Sequence, residues 1–320
     1  MVKSCLSFMV LAAVAGVFAN QKMSDKTILR MAPMPKAPVI DGKISTDEWR
    51  YASTTYGGIS PVSGLMTRRQ NDFRFGYDAK NIYLSITSEM PLAPQPLTSE
   101  DRVEFRFQAP GKTSPVIIEF DSKGKGKIPA GVKIANKFGV SLMNSEQGPC
   151  WTTEVAIPLS VFGVAAIEDG KEWKFQMMRH WSSQKETGYF HNPKYGDGMA
   201  TFIPDKKSVT VSFDGFGHHM YPATGNYNWT YRVESQLNSN VHVHSNCFRS
   251  GLDGAPTLDI NNPDLFGKEK RIRIGYSVLA EKGISKYFEL YMMAQFPGKP
   301  RCLYSQIIAN DKKTVYSGNR

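Results

Sequence analysis

Apolar and polar residues alternate along much of this chain, and this pattern predicts short β-strands. In residues 72–77, for example, three aromatic residues alternate with Asp72, Arg74 and Gly76. Successive side chains of a strand point to opposite faces, so each such run has one apolar face for a core. The same pattern predicts strands at 73–77, 82–86, 101–107, 116–120, 153–157 and 173–179. We predict that they form one antiparallel β-sandwich.

The second half of the chain continues the all-β pattern. Strand-like runs occur at 209–213, 231–235, 241–247, 271–278, 287–292 and 303–308. Short strands at even spacing over about 110 residues are typical of immunoglobulin-like or fibronectin-like sandwiches. The predicted fold class is therefore all-β, with a second, immunoglobulin-like sandwich after the first.

The N-terminus has the pattern of an export signal. Lys3 precedes an apolar run, Leu6 to Val17, that ends near a small-residue cleavage pattern at Ala19. A run of about a dozen residues is too short for a membrane span, which needs ~20. We expect a signal peptide at 1–19, a linker at 20–36, and a secreted, periplasmic or cell-surface protein with no membrane span in the mature chain. An uncleaved anchor is the alternative.

One residue conflicts with the apolar face on which it falls. In the run Trp173–Trp181, Arg179 shares a strand face with Trp173, Phe175 and Met177. A buried guanidinium must be paired. The sequence predicts a structural ion pair of Arg179 with Glu154 or Glu104.

The net charge bears on the binding partner of the protein, and the cysteine content bears on its disulfides. The chain has 39 Lys and Arg against 29 Asp and Glu, a net charge of +10. A basic surface can bind nucleic acid or an anionic polymer, although we favour the interpretation that it is simply solvated. An exported protein rarely meets nucleic acid, so we expect no nucleic acid, and an acidic polysaccharide would be the more sensible glycan partner. Three cysteines follow the predicted signal, an odd number, and Cys247 with Cys302 is the more plausible disulfide pair.

Several ordered motifs over residues 37–204 resemble the family 9 carbohydrate-binding modules and related DOMON-like sandwich domains. They are Ile40-Asp41-Gly42 followed by Trp49, Tyr77-Asp78 followed by Ile82-Tyr83-Leu84, Asp101-x-Val103-Glu104, Glu154-x-x-Ile157-Pro158, and Trp173-x-x-Gln176-x-x-Arg179. Gln176 stands where the family usually has Asn. The resemblance implies a module at 37–205, with the second sandwich at 206–320.

The resemblance also implies non-catalytic binding of a polysaccharide or glycoconjugate. It implies no cofactor; family 9 modules often hold a structural calcium ion, and the sequence itself identifies no metal ligands. His242 and His244 share a strand face, and we interpret them as surface residues of a basic domain rather than as metal ligands. The alternatives are a structural or adhesive surface protein without sugar binding, or an accessory, non-catalytic part of a glycoside hydrolase.

Aromatic rings offer flat surfaces to the apolar faces of sugars, and polar side chains set the orientation of the sugar. Rings near strand ends and polar residues opposite the apolar faces are therefore the candidates. The predicted ligand-binding residues are Trp181, Tyr189, His180, Arg102 and Glu104. Glu104 and Glu154 could also form the carboxylate pair of a glycosidase, but we favour a role for both in neutralising arginines, and expect no enzyme activity.

Overall fold

The computed structural model describes residues 27–62, 67, 69, 71–90, 97–143, 146–182, 185–194, 196–217, 225–250, 273–294 and 302–319. The predicted signal peptide lies outside this range. The regular secondary structure of the described residues consists of β-strands and one short 3-10 helix at Leu159–Phe162. The all-β prediction is confirmed. No helix in the described ranges has the length and apolar character that a membrane crossing requires.

The first half contains twelve strands within the described residues. They are β1 (Ile28–Met31), β2 (Ser53–Tyr56), β3 (Asn71–Tyr77), β4 (Asn81–Glu89), β5 (Arg102–Gln108), β6 (Val116–Asp121), β7 (Gly126–Lys127), β8 (Lys133–Met143), β9 (Glu146–Pro158), β10 (Trp173–Trp181), β11 (Glu186–Tyr189) and β12 (Ala200–Pro204). The six strands predicted here by alternation are all present. Each carries one largely apolar face, which explains why the pattern located them.

These strands form two layers. One is a five-stranded sheet in the order β2-β3-β4-β9-β8, and the other runs β12-β10-β5-β6-β7, with β11 paired to β10. Side chains from both layers meet in one aromatic core. Phe75, for example, lies 4.9 Å from Phe175 and 4.6 Å from Phe202 between ring centroids. The sandwich predicted for the first half is confirmed.

The second half has seven described strands. They are β13 (Thr210–Gly217), β14 (Gly225–Glu234), β15 (Val241–Ser250), β16 (Arg273–Ala280), β17 (Lys286–Ala294), β18 (Cys302–Ala309) and β19 (Thr314–Asn319). The order β13-β14-β17 forms one sheet, and β16-β15-β18-β19 lies in the other. The first, second and fifth strands thus share a sheet, as in immunoglobulin-like sandwiches.

A strand in the predicted linker joins the two halves. β1 pairs in parallel with β12 and antiparallel with β19, so one sheet continues from the first half into the second. A side-chain hydrogen bond also connects the two halves, since Ser53 Oγ donates to the Val211 carbonyl over 2.8 Å. Residues 28–31 are therefore a strand and not linker, while the division into folding units at 205/206 stays a prediction.

The register of β15 and β18 argues against the predicted disulfide. Cys247 lies opposite Ser305, and Cys302 lies opposite Ser250. The two cysteines are three positions out of register, about 10 Å along the strands at ~3.4 Å per residue. A disulfide needs Cα atoms within ~7 Å, so this pair cannot bridge without a backbone shift.

Residues 33–52, the covering segment, lie over the outer face of the five-stranded sheet. Trp49 is buried there with Met34, Ala52, Tyr83 and Ala156. Within the segment the chain makes hydrogen-bonded turns, one of them closed by the Trp49 amide donating to the Ser45 carbonyl at 3.1 Å. The segment matters for function because its first turn forms one wall of a groove.

Candidate functional site

Four of the five predicted ligand-binding residues lie on one outer face. Residues directly opposite each other on paired strands share a face. Arg102 is opposite His180, Glu104 is opposite Met178, and Met178 is opposite Tyr189. The polar face defined by Arg102, Glu104, His180 and Tyr189 therefore lies on β5, β10 and β11, opposite the core.

Glu104 is the electrostatic centre of the polar face. Arg106 Nε donates to its Oε1 over 2.6 Å, and His180 Nε2 lies 3.1 Å from its Oε2. A carboxylate can only accept, so His180 carries a proton on Nε2. Burial by itself would raise the Glu104 pKa, but hydrogen bonds from His180 and Arg106 outweigh it and lower the pKa to about 2. Glu104 is thus a fixed negative charge at neutral pH.

Two neighbours complete this network and were not among the predicted site residues. Glu119 Oε1 lies 2.8 Å from Arg102 Nε, and Thr187 Oγ1 lies 3.1 Å from His180 Nδ1. Glu119 is on β6 and Thr187 on β11, so only the strand register reveals that they belong here. Alternation within residues 116–120 was the available signal, because it places the Glu119 side chain on the outer face of the strand and those of Ile118 and Phe120 on the inner face.

Tyr189 gives the polar face an accessible ring. It is half-buried at the end of β11 and is fixed by a two-way backbone bridge with Ile59, with N–O distances of 2.8 and 3.0 Å. A ring held beside ionised and hydrogen-bonding side chains suits a ligand with both apolar and hydroxyl surfaces.

Trp181 does not belong to this site. It is only 1% exposed and faces the sandwich interior, so it cannot present a ring to a ligand. The prediction that Trp181 stacks on a sugar is wrong, because alternation in β10 gives it the same face as Arg179.

Arg179 is buried in an aromatic sandwich. Its guanidinium carbon lies 3.8 Å from the ring centroid of Trp151 and 3.7 Å from that of Trp181. Its Nη1 donates to the carbonyls of Arg102 and His180 over 2.8 and 3.0 Å. Desolvation lowers the pKa of Arg179, and the nearby Asp101 carboxylate opposes that effect. A planar, weakly hydrated guanidinium suits such a slot better than an ammonium would.

The predicted ion pair of Arg179 with Glu104 or Glu154 is wrong. Glu104 is engaged on the outer face, as described above. Glu154 accepts hydrogen bonds from the Gly42 amide at 2.7 Å, the Asp41 amide at 3.0 Å and Trp49 Nε1 at 2.8 Å. Glu154 thus fixes the covering segment to the five-stranded sheet. Alternation along β9 points it away from the core that holds Arg179.

Gln176 also has a structural role. Its side chain donates to the carbonyls of His191 at 2.7 Å and Gly198 at 2.8 Å, and accepts from the His191 amide at 2.9 Å. Both ends of the amide are therefore occupied in holding the loop after β11.

The two candidate glycosidase carboxylates cannot act together. Glu104 and Glu154 lie on the outer faces of opposite sheets, whose separation alone is about 10 Å. Paired glycosidase carboxylates flank one bond at about 5–9.5 Å. Metal chemistry has no cluster to build on either, since no described group of three or more His, Cys, Asp or Glu is arranged to hold an ion. The expected structural calcium stays a prediction.

Comparison with solved structures finds similarity to carbohydrate-binding modules over part of the chain. A family 9 module from Caldicellulosiruptor kristjanssonii in complex with glucose is 15% identical, with a TM-score of 0.39, over 57% of this chain and 97% of that one. The same module in complex with cellotriose gives 16% identity and a TM-score of 0.40, over 57% and 95%. A putative carbohydrate-binding protein from Bacteroides uniformis gives 12% and 0.35, over 56% and 99%. No family model and no curated protein matches the sequence.

Proposed function

We propose that this chain is a secreted, non-catalytic sugar-binding protein whose polar face holds a polysaccharide or glycoconjugate. One observation carries the proposal. The half-buried Tyr189 ring lies on the same face as a carboxylate that Arg106 and His180 hold ionised. The ring would take the apolar face of a sugar, and Glu104 would accept hydrogen bonds from its hydroxyls.

The arrangement favours a neutral ligand at this face. Arg102 and Arg106 are balanced by Glu119 and Glu104, each pair within hydrogen-bonding distance. Hydroxyl groups can bridge such pairs because each sugar hydroxyl both donates and accepts. A ligand with net charge would meet one repelling partner in each pair.

A glycan array with the full chain tests the proposal, with glucose and cellotriose among the probes. Calorimetry with the best ligand should then show weaker binding by roughly tenfold for Glu104→Gln and Tyr189→Ala, since ~1.4 kcal/mol is a factor of ten. The matched controls Glu172→Gln and Tyr287→Ala change exposed residues elsewhere and should bind as wild type. Absence of any glycan binding by the wild type would favour a structural or adhesive surface protein instead.

A further inference from the structure

A polar groove lies on the other side of the sandwich, away from the polar face. Five residues that are direct cross-strand partners form a continuous row across the outer face of the five-stranded sheet: Tyr56, Asp72, Thr87, Thr152 and Lys137. All five line a cavity of about 350 Å³. Ligand pockets start at about 300 Å³, so the cavity is large enough for a small ligand or the end of a longer one.

The floor of the groove is preorganised. The hydroxyls of Thr87 and Thr152, both nearly buried, lie 3.1 Å apart in a hydrogen bond. Arg74 Nη2 lies 2.5 Å from Asp72 Oδ2, while Arg74 Nη1 is buried without a hydrogen-bond partner among the described residues. Arg74 thus adds a cation to the lining of the groove.

One wall is the first turn of the covering segment. Gly42 has a φ of +80°, and a Cβ added there would lie 2.9 Å from Lys137 Cβ. Glu154 holds this turn through the Asp41 and Gly42 amides. The wall is thus fixed in close contact with β8, which places Lys43 beside the groove on the same side as Lys137.

Charge distinguishes the groove from the polar face. Among the described residues that line it, Asp72 is the single carboxylate, against Lys43, Arg74 and Lys137. The two lysines are exposed and make no ion pair within the described part of the chain. With one carboxylate against three basic side chains, this lining carries a net charge of about +2.

An aromatic ring lies at one edge of the groove. Tyr56 is on edge strand β2 and belongs to the row. At the other edge, Phe138 is the cross-strand partner of Trp151, so its side chain is on the inner face of the sheet and not in the groove. Four strand spacings of about 4.8 Å separate the two edges by about 19 Å, so a chain of a few sugar units could follow the row of hydroxyls from Tyr56 toward Lys137.

We propose that this groove is a second binding site, for a carboxylate-bearing sugar chain such as an oligouronate. The lysines would bind its carboxylates, the threonines and Asp72 its hydroxyls, and the Tyr56 ring an apolar sugar face. The site does not depend on the polar face, since the two lie on opposite sheets. A chain with both sites would bind neutral and acidic segments of glycans separately.

Calorimetry of the full chain with a galacturonic acid trimer, and with cellotriose as the neutral comparison, tests this. Wild type should bind the uronate with a Kd below about 1 mM at low salt and cellotriose more weakly in the groove. The Lys43→Gln/Lys137→Gln variant should lose roughly tenfold in affinity, about two- to fivefold per exposed charge. Its melting temperature should be unchanged, because both side chains are exposed.

The control is Lys127→Gln/Lys133→Gln, which makes the same change in net charge. Lys133 is exposed on the same face of β8 but does not line the groove. The control should stay within about twofold of wild type. Equal losses in both double variants, loss of uronate binding in Glu104→Gln, or no uronate binding by the wild type would each overturn the proposal.

Discussion

The slot around Arg179 gives the sharpest prediction about stability. Replacing Arg179 by Met removes two ring contacts of about 2 kcal/mol each when desolvated, and two hydrogen bonds of about 1.5–3 kcal/mol each. It also removes the penalty of several kcal/mol for burying the charge. No carboxylate in direct contact is left unpaired, and the Met sulfur recovers ring contacts of about 0.3–1.5 kcal/mol. The net cost should be about 1–3 kcal/mol.

Arg179→Lys should be more damaging, although it keeps the charge. An ammonium is compact and strongly hydrated, cannot lie flat between Trp151 and Trp181, and still pays for burial. We expect a cost of about 3–5 kcal/mol, the range for an uncompensated buried charge.

Thermal unfolding followed by circular dichroism separates the two variants. At roughly 2–4 °C per kcal/mol for a unit of 150–250 residues, the Met variant should melt about 2–12 °C below wild type and the Lys variant lower still. The exposed Lys133→Gln serves as a control that should melt like wild type. A Lys variant as stable as wild type, or more stable than the Met variant, would refute the role given to the planar guanidinium.

Three further predictions concern single residues. Trp181→Ala should destabilise the fold by about 3–5 kcal/mol, as large core truncations do; a urea midpoint close to that of wild type would contradict its burial. Because the Glu104 pKa is lowered to about 2, its stabilising contribution is present above its ordinary pKa near 4.5 and is lost as pH falls toward 2, so Glu104→Gln should flatten the acid limb of a plot of stability against pH. Burial raises the pKa of Glu154, although the hydrogen bonds from Trp49, Asp41 and Gly42 oppose this effect. The contribution of Glu154 to folding stability is therefore greatest below its ordinary pKa and declines as the pH rises through the raised pKa. Glu154→Gln should remove that decline and cost about 1–3 kcal/mol of stability at low pH, because the amide NH₂ group must then face one of the three donors.

Alternation predicted twelve of the nineteen described strands, because each of the twelve has one largely apolar face. Among those it missed are β1 and β19, which are short and whose apolar residues pack only once the two halves share a sheet. Alternation along β10 also predicts that Trp181 is buried, because Trp181 is two residues from Arg179 and therefore on the same face. Its place at the end of a strand suggested a ligand contact, but the face of the strand was the better guide.

Contacts between strands could not be predicted from one sequence. Trp151 contacts Arg179 only because β9 and β10 lie in facing sheets, and this arrangement cannot be recognised in the sequence. A carboxylate was therefore the expected partner of the buried guanidinium. The groove row likewise depends on the registers of five strands that extend from residue 53 to residue 158. No local pattern connects Tyr56 with Lys137.

The most direct test of sugar binding is a crystal structure of the chain with the best ligand from the glycan array. We predict a sugar ring packed on Tyr189, with hydroxyls within hydrogen-bonding distance of Glu104 and of Arg102 or His180. A neutral sugar bound elsewhere, with the polar face unoccupied, would contradict the assignment.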